Sequence, residues 1–299
     1  MTLGVLGGLP SEQHCPEEVT RNRPHPVPFV PVPLVMVATR FEVIAEIEPA
    51  TRPDLTSVRH QVGVLAPVAH GFLIPDNHLG RATVSSIAVA HEVASMGVKA
   101  IACLNSRDRN RLGFRRDLLT AAAYGVDQFL CVFGDEPAWG GRSTDLNVAG
   151  MLEEVRAFGG SETFAGHGPF SVGVTTRLAA LPDWKLQADF VFVQASFDLD
   201  ALLRWRDSQR FDGQVLAGVL VVASVGMAKT LTEATNQIDL PAKLLDQLET
   251  DPDAGIETAC SLMEEIKASG AFDGVHLVPV GRYRTMAARL EKNGWRSRR

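Results

Sequence analysis

Glu46 and Glu48 stand two residues apart in the apolar run VIAEIE (43–48). The period of a β-strand puts both on one face, with Ala45 and Ile47 on the other. Two neighbouring carboxylates cannot both ionise cheaply, so one keeps its proton to higher pH. Such an acid can donate a proton near neutrality. The alternative is that Glu48 lies past the strand in solvent and only Glu46 is internal. An unpaired glutamate inside an apolar strand is costly, which favours a chemical role for Glu46.

Other polar residues follow the same logic, because each closes an apolar run. Asp76, Asn77 and His78 follow GFLIP (71–75). Asn105, Ser106, Arg107 and Asp108 end or follow KAIACLN (99–105). Gly134, Asp135 and Glu136 end or follow QFLCVFG (128–134). Thr175, Thr176 and Arg177 close FSVGVTT (170–176), and Gln194 closes DFVFVQ (189–194). Gly134 allows a backbone to approach a ligand closely, or forms a plain turn. SRDRN (106–110) suits either a polar site or a solvated helix start with Asp108 as its cap. A buried Gln194 amide reads the edge of a heterocycle or spans the interior as a structural hydrogen bond. His60, His70, His78, His91, His167 and His276 show neither HxH nor HExxH spacing, so no metal site is expected.

These residues need elements to hold them. With QVLAGVLVV (214–222) and GVHLVPV (274–280), the apolar runs number eight. Most are continuous rather than alternating, as in parallel strands covered on both faces. Amphipathic stretches at 83–97, 111–125, 145–159 and 254–270 lie between them. This alternation predicts a (β/α)8 TIM barrel, whose working residues collect at the C-terminal strand ends. A doubly wound sheet is the runner-up, but EPATRPD after the first strand lacks the phosphate-turn glycines. The weak place is VTTRLAALPDWKLQADF, which leaves little room for a crossover helix between the fifth and sixth strands.

The 299 residues carry 29 Lys+Arg and 35 Asp+Glu, a formal charge of −6, which argues against a nucleic-acid surface. Four spaced cysteines without a CxxC pair fit neither a disulfide framework nor structural zinc, and point to the cytoplasm. No apolar run reaches 18 residues, so a transmembrane helix and membrane partners are not expected. Residues 1–38 are rich in proline and polar residues and predict a disordered or loosely attached N-terminal tail, or an extension ahead of a start at Met36. Residues 39–299 form the barrel. The apolar face at 83–96 suits a homo-oligomer interface or ordinary barrel packing.

The stretch from IPDNHLGRA to VFGDEP (74–137) resembles the methylenetetrahydrofolate reductase family, especially the reductase half of bifunctional homocysteine methyltransferase/reductase proteins. That branch carries D-N-P-L-x-R, C-R-D-R-N and G-D-P stretches. EIEPA (46–50) resembles the family's E-x-x-P-P, DFVFVQASFD (189–198) its A-D-x-x-x-T-Q-x-x-x-D, and GVHLVPVGRY (274–283) the branch's G-V-H-x-x-P-x-G-R-Y. The resemblance implies a barrel that passes hydride from NADH or NADPH through FAD to 5,10-methylenetetrahydrofolate. The product would be 5-methyltetrahydrofolate, in one-carbon and methionine metabolism. It implies Glu46 as general acid, Asp135 beside flavin and pterin, and Gln194 on the pterin edge. Glu48, Asp76 and Asn77 would be further substrate contacts. Cys103, Asn105, Arg107, Asp108, Gly134 and Thr175 would lie along the flavin. A methyltransferase subunit is a partner of the implied pathway.

Three departures bear on the ligands. Cys103 stands where the family has a histidine, TTRLAALPDW replaces a Y-P-E-x-H-type segment, and Val225 replaces an aromatic residue over the folate benzoyl ring. The resemblance with these departures implies a retained folate-type pocket with weakened FAD affinity. Two further readings follow: a flavin-independent reductase with direct transfer from nicotinamide, or a non-catalytic folate-binding partner subunit.

Overall fold

The computed structural model describes residues 40–136, 138–234 and 240–297. The tail expected at 1–38 lies outside the described residues. Eight strands occur in chain order: β1 (Glu42–Glu46), β2 (Gly71–Ile74), β3 (Lys99–Asn105), β4 (Gln128–Val132), β5 (Ser171–Thr176), β6 (Phe190–Val193), β7 (Gln214–Leu220) and β8 (Gly274–Val278). Each pairs in parallel with its sequence neighbours, and β1 pairs with β8, so the sheet closes into a barrel. Around it run α1 (Thr56–Leu65), α2 (Ser86–Ser95), α3 (Arg111–Ala123), α4 (Val148–Gly159), α5 (Leu199–Ser208), α6 (Val225–Ala234), α7 (Ala242–Thr250), α8 (Ala254–Ser269) and α9 (Tyr283–Lys292). The expected TIM barrel is the observed one.

Strand alternation builds two cores. Val43, Ala45, Phe72, Ile74, Ala102, Leu104, Phe129 and Cys131 point outward under the helices. Ile44, Leu73, Ile101, Cys103, Leu130, Phe190, Phe192 and Leu216 fill the barrel interior. Both faces of each strand are therefore dry, which explains the continuous apolar runs. A polar plug closes the N-terminal end: Lys99 Nζ lies 3.0 Å from Glu42 Oε2, beside Gln128, Ser171 and Gln214.

Local chemistry starts the helices. Asn110 Oδ1 accepts the Gly113 N–H at 2.8 Å, Asn147 Oδ1 the Gly150 N–H at 2.8 Å, and Asp198 Oδ1 the Ala201 N–H at 2.9 Å. Asn110, not Asp108, is thus the cap of α3. The apolar face of α2 is packed: Ile87, Val89, Ala90 and Val93 are buried. Between β5 and β6 a short 3-10 turn over Asp183–Gln187 replaces the crossover helix. Trp205 Nε1 donates to Ala179 O at 2.8 Å, and Gln209 Oε1 accepts the Leu181 N–H at 2.9 Å, so α5 holds this loop down. Among the described residues no helix is long and apolar enough to cross a membrane.

Gly173 is required by the interior packing. A Cβ there would stand 2.1 Å from the Phe190 ring. Gly173→Ala is expected to lower the unfolding free energy by about 1–3 kcal/mol, the usual cost of overpacking. Denaturant melts measure this, and Phe190→Leu in the same chain should recover part of the loss.

Candidate active site

The C-terminal strand ends form one mouth with two differently built sides. On the β2–β4 side the hub is Asp76, whose side chain is 4% exposed. Its Oδ2 accepts the Asn105 backbone N–H at 3.0 Å, Asn105 Nδ2 at 2.6 Å and Arg109 Nη1 at 2.5 Å. Arg109 Nη1 also donates to Asn105 O at 3.1 Å, and its Nε to Asp117 Oδ2 at 2.8 Å. Burial by itself lowers the Arg109 pKa, but the carboxylates of Asp76 and Asp117 outweigh it and raise the value. Asn105, 1% exposed, accepts the Asp108 N–H on Oδ1 at 2.9 Å. Its side chain is thereby engaged at both ends.

The neighbouring loops are tied to this hub. Asn77, in the left-handed region at φ 48°, donates through Nδ2 to Asp108 Oδ2 at 2.8 Å. Leu79, also left-handed at φ 55°, donates its N–H to Asp135 Oδ2 at 2.7 Å. Arg107, 4% exposed, donates to Gly134 O at 3.0 Å, pairs with Glu136 and lies over the Phe133 ring. Gly134 has φ +93°, and a Cβ on it would lie 2.9 Å from Asn105 Cβ. Its near neighbour is therefore Asn105. Asp108 and Asp135 are exposed.

The other side is open. Thr175, Arg177, Lys185, Phe192, Gln194, Gly218, His276 and Val278 line much of a cavity of about 580 Å³. Glu46, the last residue of β1, meets this wall through β8: its Oε2 lies 3.2 Å from His276 Nε2. The His276 ring packs on Phe192, centroids 4.9 Å apart and tilted by 36°. His276 Nε2 is buried and has no well-directed hydrogen bond among the described residues. It is an acid–imidazole contact left open to a third group. Cys103 faces inward nearby. Burial, then the charges of Glu46 and Asp76, hold its thiol well above the ordinary range, so it stays neutral. Cys131 is pushed up to about 12 by burial.

A family model described as methylenetetrahydrofolate reductase matches residues 70–294. The chain belongs to the methylenetetrahydrofolate reductase family. No curated protein sequence matches it. Solved structures share the barrel. One is an uncharacterised Clostridium thermocellum protein that binds two copies of 5-methyl-5,6,7,8-tetrahydrofolic acid: 9% identity, TM-score 0.57, 85% of this chain and 96% of that one covered. Apo-MsnO8 follows at 12% identity and TM-score 0.54, covering 87% and 99%. The EDTA monooxygenase EmoA from Chelativorans sp. BNC1 gives 11% identity and TM-score 0.51, covering 86% and 95%. At these identities the likeness establishes the fold alone.

In this reductase-family barrel, Gln194 and Thr175 lie on the cavity that Glu46 reaches through His276. Asp76, Asn77, Cys103, Asn105, Arg107, Asp108, Gly134 and Asp135 belong to the β2–β4 side. Glu48 lies past β1 and is exposed, its N–H donating to Gln61 Oε1 at 2.8 Å. The two glutamates therefore do not share a strand face. Val225 opens α6 and packs on the cluster of Val222, Ala228 and Leu244. Sequence reasoning passed over His276, Phe192 and Lys185. The signal for His276 was present: a polar residue at an inward position of an apolar strand, as for Glu46.

Of the residues expected along a flavin, Thr175 lines the open cavity and Asp108 is exposed, while the other four have their polar groups or nearby space taken up by protein atoms. Asn105 and Arg107 are buried and occupied by Asp76, Gly134 and Glu136. The Cys103 carbonyl accepts from Ser86 Oγ at 2.6 Å, and Asn105 fills the space over Gly134. These four are engaged by neighbouring protein groups.

Asp76→Asn leaves Arg109 without its deepest counter-charge. We expect a loss of about 3–5 kcal/mol in denaturant unfolding, the cost of breaking a buried pair. The exposed Asp108→Asn should cost under about 1 kcal/mol in the same assay.

Proposed function

We propose that this protein reduces 5,10-methylenetetrahydrofolate to 5-methyltetrahydrofolate with NADH or NADPH, in one-carbon and methionine metabolism. The observation that carries this reading is the Glu46–His276 contact beside a ring-sized cavity in a barrel of this family. The folate bound by the Clostridium thermocellum neighbour is consistent with it.

In this reading the pterin enters the cavity against Phe192 and His276, and the Gln194 amide pairs with its donor–acceptor edge. Glu46 acts as the general acid, giving a proton to the nitrogen whose departure opens the five-membered ring. The remaining nitrogen carries the methylene as an iminium. Hydride adds to that carbon and gives the N-methyl product. The balance is one methylenetetrahydrofolate, one NAD(P)H and one proton, giving methyltetrahydrofolate and NAD(P)+. His276 positions the Glu46 carboxyl, and the β2–β4 hub holds the Asp135 loop at the rim. Glu48, Asp76 and Asn77 then act as supports of the mouth rather than as direct substrate contacts.

The family's flavin is the natural intermediary, but the closed β3–β4 end favours direct transfer from nicotinamide. That requires the nicotinamide to stack on the pterin with reacting atoms about 3–3.5 Å apart. The free buried Cys103, Cys131 and Cys260 suit a reducing cytoplasm.

The purified chain should be colourless and give no saturable quenching at micromolar FAD. It should oxidise NADH or NADPH only when 5,10-methylenetetrahydrofolate is present. Activity that strictly needs added FAD would restore the flavin route. Folate binding without any turnover would leave a non-catalytic partner subunit. Glu46→Gln should lower kcat by about 10²-fold or more, the usual worth of a general acid, with folate binding retained.

A further inference from the structure

Arg177 is the first residue beyond β5, and Lys185 lies in the 3-10 turn that replaces the crossover helix. Both line the cavity. The Lys185 ammonium is held by one neutral acceptor, Thr175 O at 2.8 Å, and lies 5.4 Å from the Trp184 ring centroid. Among the described residues, no carboxylate forms an ion pair with either cation. Burial, and then the charge of Arg177, push the Lys185 ammonium below its ordinary pKa. Two cations thus line one cavity, and among the described residues neither has a carboxylate partner. Like charges so placed repel, and an anion between them removes the repulsion.

The same cavity is also lined by Phe192, His276 and the backbone around Gly218, where a Cβ would meet Val193 O at 2.5 Å. The cavity therefore offers both flat ring surfaces and cationic side chains. We propose that Arg177 and Lys185 form an anion subsite for the doubly charged tail of a flat-ringed ligand. In the reaction proposed above, two ligands carry such a tail: the dinucleotide through its diphosphate, and the folate through its glutamate carboxylates. The subsite deepens that reading and rests on it for the choice of ligands.

The first test needs no turnover. Inorganic pyrophosphate and γ-linked triglutamate are titrated by calorimetry into the wild-type chain and into Arg177→Gln/Lys185→Met, with circular dichroism checking the fold of each. Both side chains are partly or fully exposed, so the variant should fold. At least one probe should bind the wild type saturably, and the double variant should bind it at least about tenfold more weakly, since charge-assisted hydrogen bonds to the anion are lost. The second test is kinetic. The double variant should raise one KM about tenfold or more, while kcat falls far less. A rise confined to NADH or NADPH assigns the diphosphate. A rise confined to folate, growing with the number of glutamates, assigns the carboxylates. If neither probe binds the wild type, or the variant binds both as tightly, the subsite is overturned even where reductase activity is present. If no turnover occurs at all, the titration still decides the subsite, and the reductase reading fails by itself.

Discussion

A closed eight-stranded barrel has a dry interior, and that constraint organises the rest of this molecule. Every second residue of each strand points into a space already filled by Ile44, Leu73, Ile101, Leu130, Phe190 and Leu216. A polar group there must sit at a strand end or find a partner. At the N-terminal end the partner is an ion pair, Lys99 with Glu42. At the C-terminal end Glu46 and His276 face each other across the β1–β8 seam that closes the sheet. The contact exists because the barrel closes: these two strands are neighbours only through closure.

The mouth divides its polar groups by how completely they are satisfied. Around Asp76, donors and acceptors are nearly saturated, and the result is a rigid scaffold that holds the loops of Asn77, Leu79 and Asp135. Saturation on this side leaves little with which to bind a ligand. Around His276 and Lys185 the reverse holds: a buried imidazole nitrogen and two cations without a carboxylate partner among the described residues line an open volume. Unsatisfied polarity beside a cavity is what a ligand can use. The loss of the crossover helix between β5 and β6 belongs to the same division, because the short turn that replaces it carries Lys185 to the rim.

The likeness to the reductase family and the geometry of this barrel meet at Glu46 and Gln194 and part at the β3–β4 end. Where the resemblance implies flavin contacts, side chains contact one another. Arg107 is neutralised by Glu136 and stacked on Phe133, and Asn105 occupies the clearance above Gly134. In the proposed reading the proton donor and the heterocycle reader stand on different strands from the β3–β4 end, so the carrier of hydride can change without them.

The eight strands, their order and the polar strand ends were legible in the sequence, because alternation and continuous apolar runs are local signals that burial on two faces imposes directly. So was Glu46, since a carboxylate inside an apolar strand costs free energy that only a partner or a chemical role offsets. The short segment between β5 and β6 was legible too, through its lack of length. Tertiary structure alone decided which strand ends meet. Asp76 and Arg109 are 33 positions apart, and Glu46 and His276 are separated by almost the whole barrel. No local pattern encodes those distances. It also decided that Glu48 leaves the face of Glu46, because β1 stops where its pairing with β2 stops, at Glu46 and Leu73. Identity and spacing name the groups that can do chemistry. Closure of the sheet selects which of them are left unsatisfied and face the cavity.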